Sequence, residues 1–491
     1  MKTNPSNSFG SWVIRFRWAI ILTTLLLVFA AASGARFLGF STDYRVFFSK
    51  DNPQLLAFET LQNTYTKNDN VLFAVEPKDG KVFSRQTLAA IEDITQAAWK
   101  IPHSIRVDSV TNFQYTWSEE DDLVVQDLVE NASGLTDAQL NTIQAVALAE
   151  PLLLDRLITL KANITGINVT INRPQKTNTE TPEIVAFARA MKDRFEKKYP
   201  DIRIYLTGVV FMDNTFNEAG EGDMKTLIPL MYAIVLIIMA LSLRTFWGTF
   251  TTILIMAFSI LTAMGLAGWS GILLTPISAN APTIILTLAV ADSIHILVTL
   301  FYEMRHGKSK YEAIQESLRV NHQPVFITSL TTAIGFLSLN FSDSPPFRDL
   351  GNMVAVGVMA AYVYSVFFLP AMMSILPLRV KTVSTSKNGL IERFGDWVIF
   401  HRKLIYWSMI FIIIALSTQI PRIIIDEKFN EYFDSRYPFR GDNDYVEANL
   451  TGFESIEYSL GAGESGGISN PEYLKKLDEF SDWYRQQPGV M

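Results

Sequence analysis

Residues 276–302 read PISANAPTIILTLAVADSIHILVTLFY. The stretch is almost wholly apolar or small, and it exceeds the roughly 20 residues a helix needs to cross a bilayer. Near its middle stand Asp292 and, one turn later, His295. A charged carboxylate at that depth costs at least about 2.5–3.5 kcal/mol on insertion scales. Asp292, His295 and Thr299 are spaced i, i+3 and i+7, which puts them on one helical face. That face is expected to point into a helix bundle and away from lipid. A carboxyl that alternates between charged and neutral forms in such a place suits proton loading and release. Asp292 is therefore the leading candidate for a proton relay, with Ser293 beside it. His295 either shares the proton path or only hydrogen-bonds Asp292. The structural alternative is that Asp292 is polar glue between helices.

Working outward, six more apolar blocks lie at residues 18–40, 226–243, 247–268, 325–341, 353–376 and 404–420. The whole chain has 491 residues, 49% hydrophobic and 19% charged. The charged share is below the roughly 25% of soluble proteins. A soluble enzyme, a disordered chain and a disulfide scaffold are excluded. The absence of cysteine removes thiolate nucleophiles and Cys-ligated zinc or iron–sulfur sites. A net charge of -7 leaves no basic surface for nucleic acid. No cofactor is implied. Fourteen Lys and Arg, among them Arg15, Arg17, Arg305, Arg319, Arg402 and Lys403, fall in segments assigned to one side. The short opposite loops at 269–275 and 342–352 hold only Arg348. The positive-inside rule then puts the N-terminus in the cytoplasm and residues 43–222 outside.

An internal repeat orders the chain. Phe9-Gly10-x-Trp12-Val13-Ile14-x-x-Arg17 returns as Phe394-Gly395-x-Trp397-Val398-Ile399-x-x-Arg402, offset by 385, with six identities in nine positions. The small residues at 30–35 resemble a signal-peptide cleavage site. The second copy of the motif is internal, which favours a retained first span. Residues 70–75 align with 455–460 at the same offset, and Leu88 and Pro102 with Leu474 and Pro488 at 386. An uninterrupted duplication would have roughly 770 residues and about twelve spans. The expected parts are residues 1–42, N-terminus and span one; 43–222, an outer domain; and 223–378, a five-span bundle. Then follow 379–403, a cytoplasmic linker; 404–425, span seven; and 426–491, the start of a second outer domain.

Residues 43–222 hold 26 Asp and Glu against 18 Lys and Arg, and read as mixed α/β. Strands are expected at 71–76, 104–110, 164–171 and 202–210, and helices at 84–100 and 182–199. A helical insertion is expected at 121–161, with Ser118-x-x-Asp121 as its capping box. The acidic run at 119–122 is read as a solvated helix start and no metal site is assigned there. The order resembles a ferredoxin-like split βαβ unit. In the fifth span Thr328, Thr331, Gly335 and Ser338 share a face, with Thr332 beside them. Such residues pack helices or line a polar path, and packing is preferred. Gly357, Ala361 and Ser365 form a small-residue stripe in span six. Residues 305–321 read as an amphipathic helix at the inner interface. Gly463-Glu464-Ser465-Gly466-Gly467 matches a nucleophile elbow but equally a flexible turn, and the turn is preferred.

The pieces Val290-Ala291-Asp292-Ser293-Ile294-His295, Phe368-Leu369-Pro370-Ala371 and Phe40-Ser41-Thr42-Asp43-Tyr44-Arg45 resemble the resistance-nodulation-division (RND) superfamily, as does the span layout. The chain is most similar to MMPL-type exporters, whose helices two to six resemble a sterol-sensing domain. The resemblance implies a polytopic helical membrane protein with ferredoxin-like outer domains in the inner, or cell, membrane. It implies proton-driven export of hydrophobic or amphipathic molecules, with Asp292 as the relay carboxylate and no enzymatic site. The glycine that usually precedes the acid is replaced by Val290-Ala291. The lone acid and small outer domain favour lipids over drugs. Membrane lipids, an amphipathic substrate and protons are the implied partners, and homo-oligomerisation is left open. Two other classes fit less of the sequence: a sterol-sensing-like receptor and a protein-translocation accessory.

Overall fold

The computed structural model describes residues 5–41, 43–65, 67, 69–119, 122–174, 177, 179–378, 390–424, 428–452 and 456–488. The chain forms two compact units. One takes residues 1–41, 46–48 and 221–428, and the other residues 42–45, 49–220 and 429–491. Strands are numbered along the chain: β1 Gly39–Phe40, β2 Asn70–Pro77, β3 Ser104–Ser109, β4 Gln114–Glu119, β5 Asp122–Asp127, β6 Thr165–Ile171, β7 Ile202–Thr207 and β8 Leu273–Leu274.

Among the described residues seven helices are long and apolar enough to cross a membrane. They are span one Arg17–Phe37, span two Val209–Leu243, span three Phe246–Trp269, span four Ser278–Arg305, span five Lys310–Phe341, span six Pro345–Ile375 and span seven Arg402–Arg422. Spans three to six pack on one another, and span one packs on span three. The seam between one and three is backbone against backbone. A Cβ added at Gly265 would run into the carbonyl of Ala31, and one at Gly268 into that of Gly34. The small residues at 30–35 thus have a packing reason. Gly357 likewise leaves room for Ile285 between spans six and four. Span six contains one π-helical turn, Tyr364–Phe368.

The helix that carries span five starts at Lys310, where Ser309 and Glu312 form a capping box, and runs unbroken through Leu337. The expected interfacial helix at 305–321 is therefore the first part of the span's own helix, as the notional boundary before residue 325 carries no stop signal. Pro324 lies inside the helix without ending it. The apolar side of this end, Ala313, Ile314 and Leu318, is buried in the bundle. The short helix Pro5–Arg15 packs against it.

In the second unit β2 pairs antiparallel with β6 and β7, and β3 with β6, giving the order β3-β6-β2-β7. Alternation along β2 sends Val71, Phe73 and Val75 into one core and Leu72 and Ala74 into another. The first core holds Leu88, Ile91 and Ile94 from the helix Arg85–Ala98, capped by Ser84, and Ile184, Ala188 and Met191 from Glu180–Lys198. Each large side chain buried there contributes roughly 1.5–3 kcal/mol. Gly208, at φ +112°, turns β7 into the next helix, and its would-be Cβ lies 2.6 Å from the Asn70 carbonyl oxygen.

The insertion departs from expectation. It opens with a hairpin of β4 and β5, and its helix is only Asp137–Ala149. Ser118 sits in β4 opposite Leu123, and the expected cap partner Asp121 lies outside the described residues. The insertion's capping box is Thr136 with Gln139.

The repeat is carried by the elements. At an offset of 385, Pro5–Arg15 maps onto Leu390–Phe400, Arg17–Ala32 onto Arg402–Ser417, Tyr44–Phe47 onto Phe429–Tyr432, and Pro53–Thr64 onto Pro438–Asn449. The copy of β2 does not form a strand. Residues 456–460 are irregular, and Ser455 lies outside the described residues. Among the described residues no strand pairs with this stretch as β6 and β7 pair with β2. The linker charges Arg379, Lys381 and Lys387 also lie outside the described residues.

Candidate functional site

Span four brings one carboxylate into the bundle. Asp292 is 5% exposed, and Ser329 Oγ of span five donates to its Oδ2 at 3.0 Å. Ser293, fully buried, donates to the Ala289 carbonyl at 2.8 Å and lies 3.3 Å from Ser365 Oγ in the π-helical turn. Thr299 is half-buried and accepts from Asn321 Nδ2 at 2.8 Å. Ser317 Oγ donates to the Ile296 carbonyl at 2.6 Å. Spans four and five are thus stitched by three polar contacts, the one at Asp292 being the only one that includes an ionisable group.

The face expected to hold Asp292, His295 and Thr299 together splits. His295 is exposed, and among the described residues its ring makes no hydrogen bond. At about 100° per residue, three residues rotate about 60° backward and seven about 20°. Asp292 lies at the edge of the buried arc, so Thr299 stays at that edge while His295 leaves it. The expected hydrogen bond from His295 to Asp292 is replaced by one from Ser329.

Span five is rotated from expectation in the same way. Thr328 and Thr331 are exposed and donate to carbonyls of their own helix, those of Pro324 and Ile327. Thr332 is half-buried, and Gly335 has nothing near its would-be Cβ. The packed face is the line Ser317, Asn321, Val325, Ser329 and Ala333. Ser329 and Asn321 were legible as small or polar residues recurring every fourth position. The Thr-rich line drew attention because it holds more hydroxyls. Ser365, in the expected stripe with Gly357 and Ala361, does reach Ser293.

The second unit holds another buried ionic group that the sequence reading did not single out. Arg173 donates to Asp69 Oδ2 at 2.9 and 3.0 Å, to Asp213 Oδ2 at 2.7 Å and to Thr181 at 3.1 Å. Burial works against the Arg173 charge, but the carboxylates of Asp213 and Asp69 outweigh it and hold the guanidinium above its ordinary value. Arg45 adds contacts to Asp69 at 3.4 Å and Gln62 at 3.0 Å. Ser465 lies in an exposed turn between Gly463 and Gly466, both at positive φ, with no strand leading into it. That is not the strand-to-helix elbow of a nucleophilic serine. Among the described residues no three His, Cys, Asp or Glu are grouped as metal ligands.

The comparisons bear on both units. The model of the MMPL family matches residues 50–402, more than two thirds of the chain. The membrane protein MJ1562 of Methanocaldococcus jannaschii is 24% identical over 176 residues, 36% of this chain and 45% of that protein. MmpL12 of Mycobacterium tuberculosis strain H37Rv, a transport protein by its name, is 21% identical over 224 residues, 44% of this chain and 19% of that protein. The chain thus aligns with less than half of either relative's length. The family match runs from the second unit through spans two to six and takes in Asp292, and on that match the chain belongs to the MMPL family.

Proposed function

We propose that this chain is part of a proton-motive-force-driven secondary transporter that exports hydrophobic or amphipathic molecules, lipids in particular. The observation that carries the reading is the Asp292 carboxylate, buried within span four and hydrogen-bonded to span five. Ionised, Asp292 accepts from Ser329; protonated, it gains a donor of its own, and the hydroxyl can turn away. Proton uptake thereby changes a contact between two helices, which is the kind of coupling a proton-driven cycle needs. Ser293 and Thr299 line the same polar seam. His295, Thr328 and Thr331 face away from it, where the matching spans of a complete duplication would meet them.

The wider reading follows from the same elements. The order β3-β6-β2-β7 with antiparallel pairing supports a ferredoxin-like outer domain. Fourteen basic residues against one support a cytoplasmic N-terminus in the inner, or cell, membrane, with both outer domains outside. The element-by-element repeat supports a protein of about twelve spans, whose duplicated halves suit alternating access.

The test is Asp292→Asn in the full-length protein, reconstituted in lipid vesicles with an imposed pH gradient and a fluorescent lipid as probe. Asn keeps shape and hydrogen bonding but cannot change charge. Proton flux and probe movement should both be lost, with membrane insertion unchanged. An interhelical hydrogen bond in a membrane averages only about 0.6 kcal/mol, so a purely structural Asp292 would tolerate the swap. Wild-type flux in the Asn variant would end the relay reading. No proton flux in the wild type would favour a sterol-sensing-like receptor.

A further inference from the structure

Spans one and five each begin on a cation. Arg17 is the first residue of the helix Arg17–Ala32, and Lys310 is the first of Lys310–Leu337. The end of span six, Leu369–Ile375, packs against both of these helices and against Pro5–Arg15. Arg17 Nη1 donates to the Ile14 carbonyl at 3.2 Å, and Lys310 Nζ donates to the Leu376 carbonyl, just past span six, at 3.2 Å. Both residues are half-buried, and the Arg17 charge reaches Lys310.

Among the described residues no carboxylate pairs with either cation. Glu303 pairs with Lys308 at 2.8 Å, Glu316 pairs with Arg319, and Glu312 accepts from Ser309 in the cap of span five. The first turn of Arg17–Ala32 holds no acid, and Phe16 offers no side-chain cap. The positive end of a helix favours anions, so a cation there is misplaced unless an anion joins it. Arginine and lysine each carry several N–H donors, and the hydrogen bonds above use one of each. Basic residues that only orient a chain can sit anywhere in a short exposed loop. Two half-buried cations in one corner repel each other, and a phosphate between them replaces that repulsion with two attractions. The arginine also returns in the repeat. Arg402, its copy, again opens a helix whose first turn holds no acid.

The corner lies where apolar helix gives way to charge. Trp18 follows Arg17, and Trp18, Leu22 and Leu26 are all exposed, each one turn after the last. They form an apolar strip that leads from the cation along the span. A tryptophan at the head-group level with aliphatic surface beyond it suits a lipid chain. We propose that Arg17 and Lys310 hold the phosphate of an anionic phospholipid whose chains lie along Trp18, Leu22 and Leu26. Arg17 supplies a planar fork for the phosphate oxygens and Lys310 a point charge. The lipid is a resident ligand that ties spans one, five and six together, distinct from any transported molecule. The inference rests on these contacts and holds whether or not Asp292 relays protons.

The probes are phosphatidylglycerol, phosphatidylcholine and inorganic phosphate, each added to the full-length protein in neutral detergent. Phosphatidylglycerol should raise the thermal midpoint in a saturable way, and the other two should not. Arg17→Gln with Lys310→Gln should raise the half-saturating concentration by about 30-fold, the scale of two cations at an anionic surface. Each single substitution should raise it by about fivefold, so the test survives a double variant that does not fold. Arg17→Lys should raise it less than Arg17→Gln. The control, Lys308→Gln with Arg319→Gln, removes the same charge from cations that already have carboxylates, and should leave the response unchanged. An unchanged phosphatidylglycerol response in the Arg17 and Lys310 variants, or an equal loss in the control, would overturn the site. A matching shift with phosphatidylcholine would remove the role of charge and overturn it. A shift with inorganic phosphate alone would assign the corner to a soluble anion and overturn it too.

Discussion

Arg173→Ala should be the most damaging single substitution in the second unit. The Arg173 side chain is 5% exposed, and its partners Asp69 and Asp213 are 5% and 1% exposed. Among the described residues Asp213 Oδ1 has no hydrogen-bond partner, so Arg173 is its main compensation. Removing the guanidinium leaves two buried carboxylates, only one of which, Asp69, keeps an arginine, Arg45 at 3.4 Å. Breaking a buried pair by deleting one partner costs about 3–5 kcal/mol. At about 1.4 kcal/mol per tenfold, the open population should rise by more than about 100-fold. Limited proteolysis of the purified full chain reads that population when opening is fast relative to cleavage. A change below about threefold would refute the view that Arg173 neutralises two buried acids.

Two further expectations concern the membrane unit. Gly265→Leu should lower the folded amount in the membrane several-fold, because its side chain meets the Ala31 carbonyl, whereas Gly335→Leu, with open space around it, should not; equal levels of the two would refute the seam. A cysteine in place of Ser118 should label only from the non-cytoplasmic side with an impermeant maleimide, and labelling from the cytoplasm would overturn the orientation.

The spans were legible because crossing a bilayer needs only length and composition, both readable without knowing the neighbours. The strands at 70–77 and 202–207 were legible for a similar reason, since β-branched alternation is local. The hairpin at 114–127 was not. Ser118 and Asp121 happen to match a cap, while the hairpin depends on Tyr115 stacking with Trp117, two residues apart on one face of β4, at 5.3 Å. Rotation of a helix is harder still. In spans four and five the composition marks which residues are polar, but packing decides which of them face inward. A shift from Thr328 to Ser329 is about 100° and changes the partner of Asp292. The Arg173 cluster was unreadable because its members come from residues 43–69, 173 and 213, which only the sheet brings together.

The repeated motif Phe-Gly-x-Trp-Val-Ile tells how much of a sequence is written for a neighbour. In the first copy a Cβ on Gly10 would lie 3.0 Å from the Cα of Gln315, and Gln315 Nε2 donates to Ser11 Oγ at 3.0 Å. Phe9 sits against His322 and Phe367, and Val13 is fully buried. Phe9, Gly10 and Trp12 each have a reason in a contact with span five or six. In the second copy, among the described residues, Gly395 has nothing within 4 Å of its would-be Cβ, and Phe394 and Trp397 are 63% and 52% exposed. A glycine inside a helix costs about 1 kcal/mol relative to alanine. Gly395 bears that cost with no close neighbour to justify it, in a helix whose exposed aromatics add a further penalty in water. The residues of Leu390–Phe400 make physical sense against a surface like that of Lys310–Leu337. On the duplicated reading proposed above, that surface is the second repeat's own span five, and the motif is identical because the contact is.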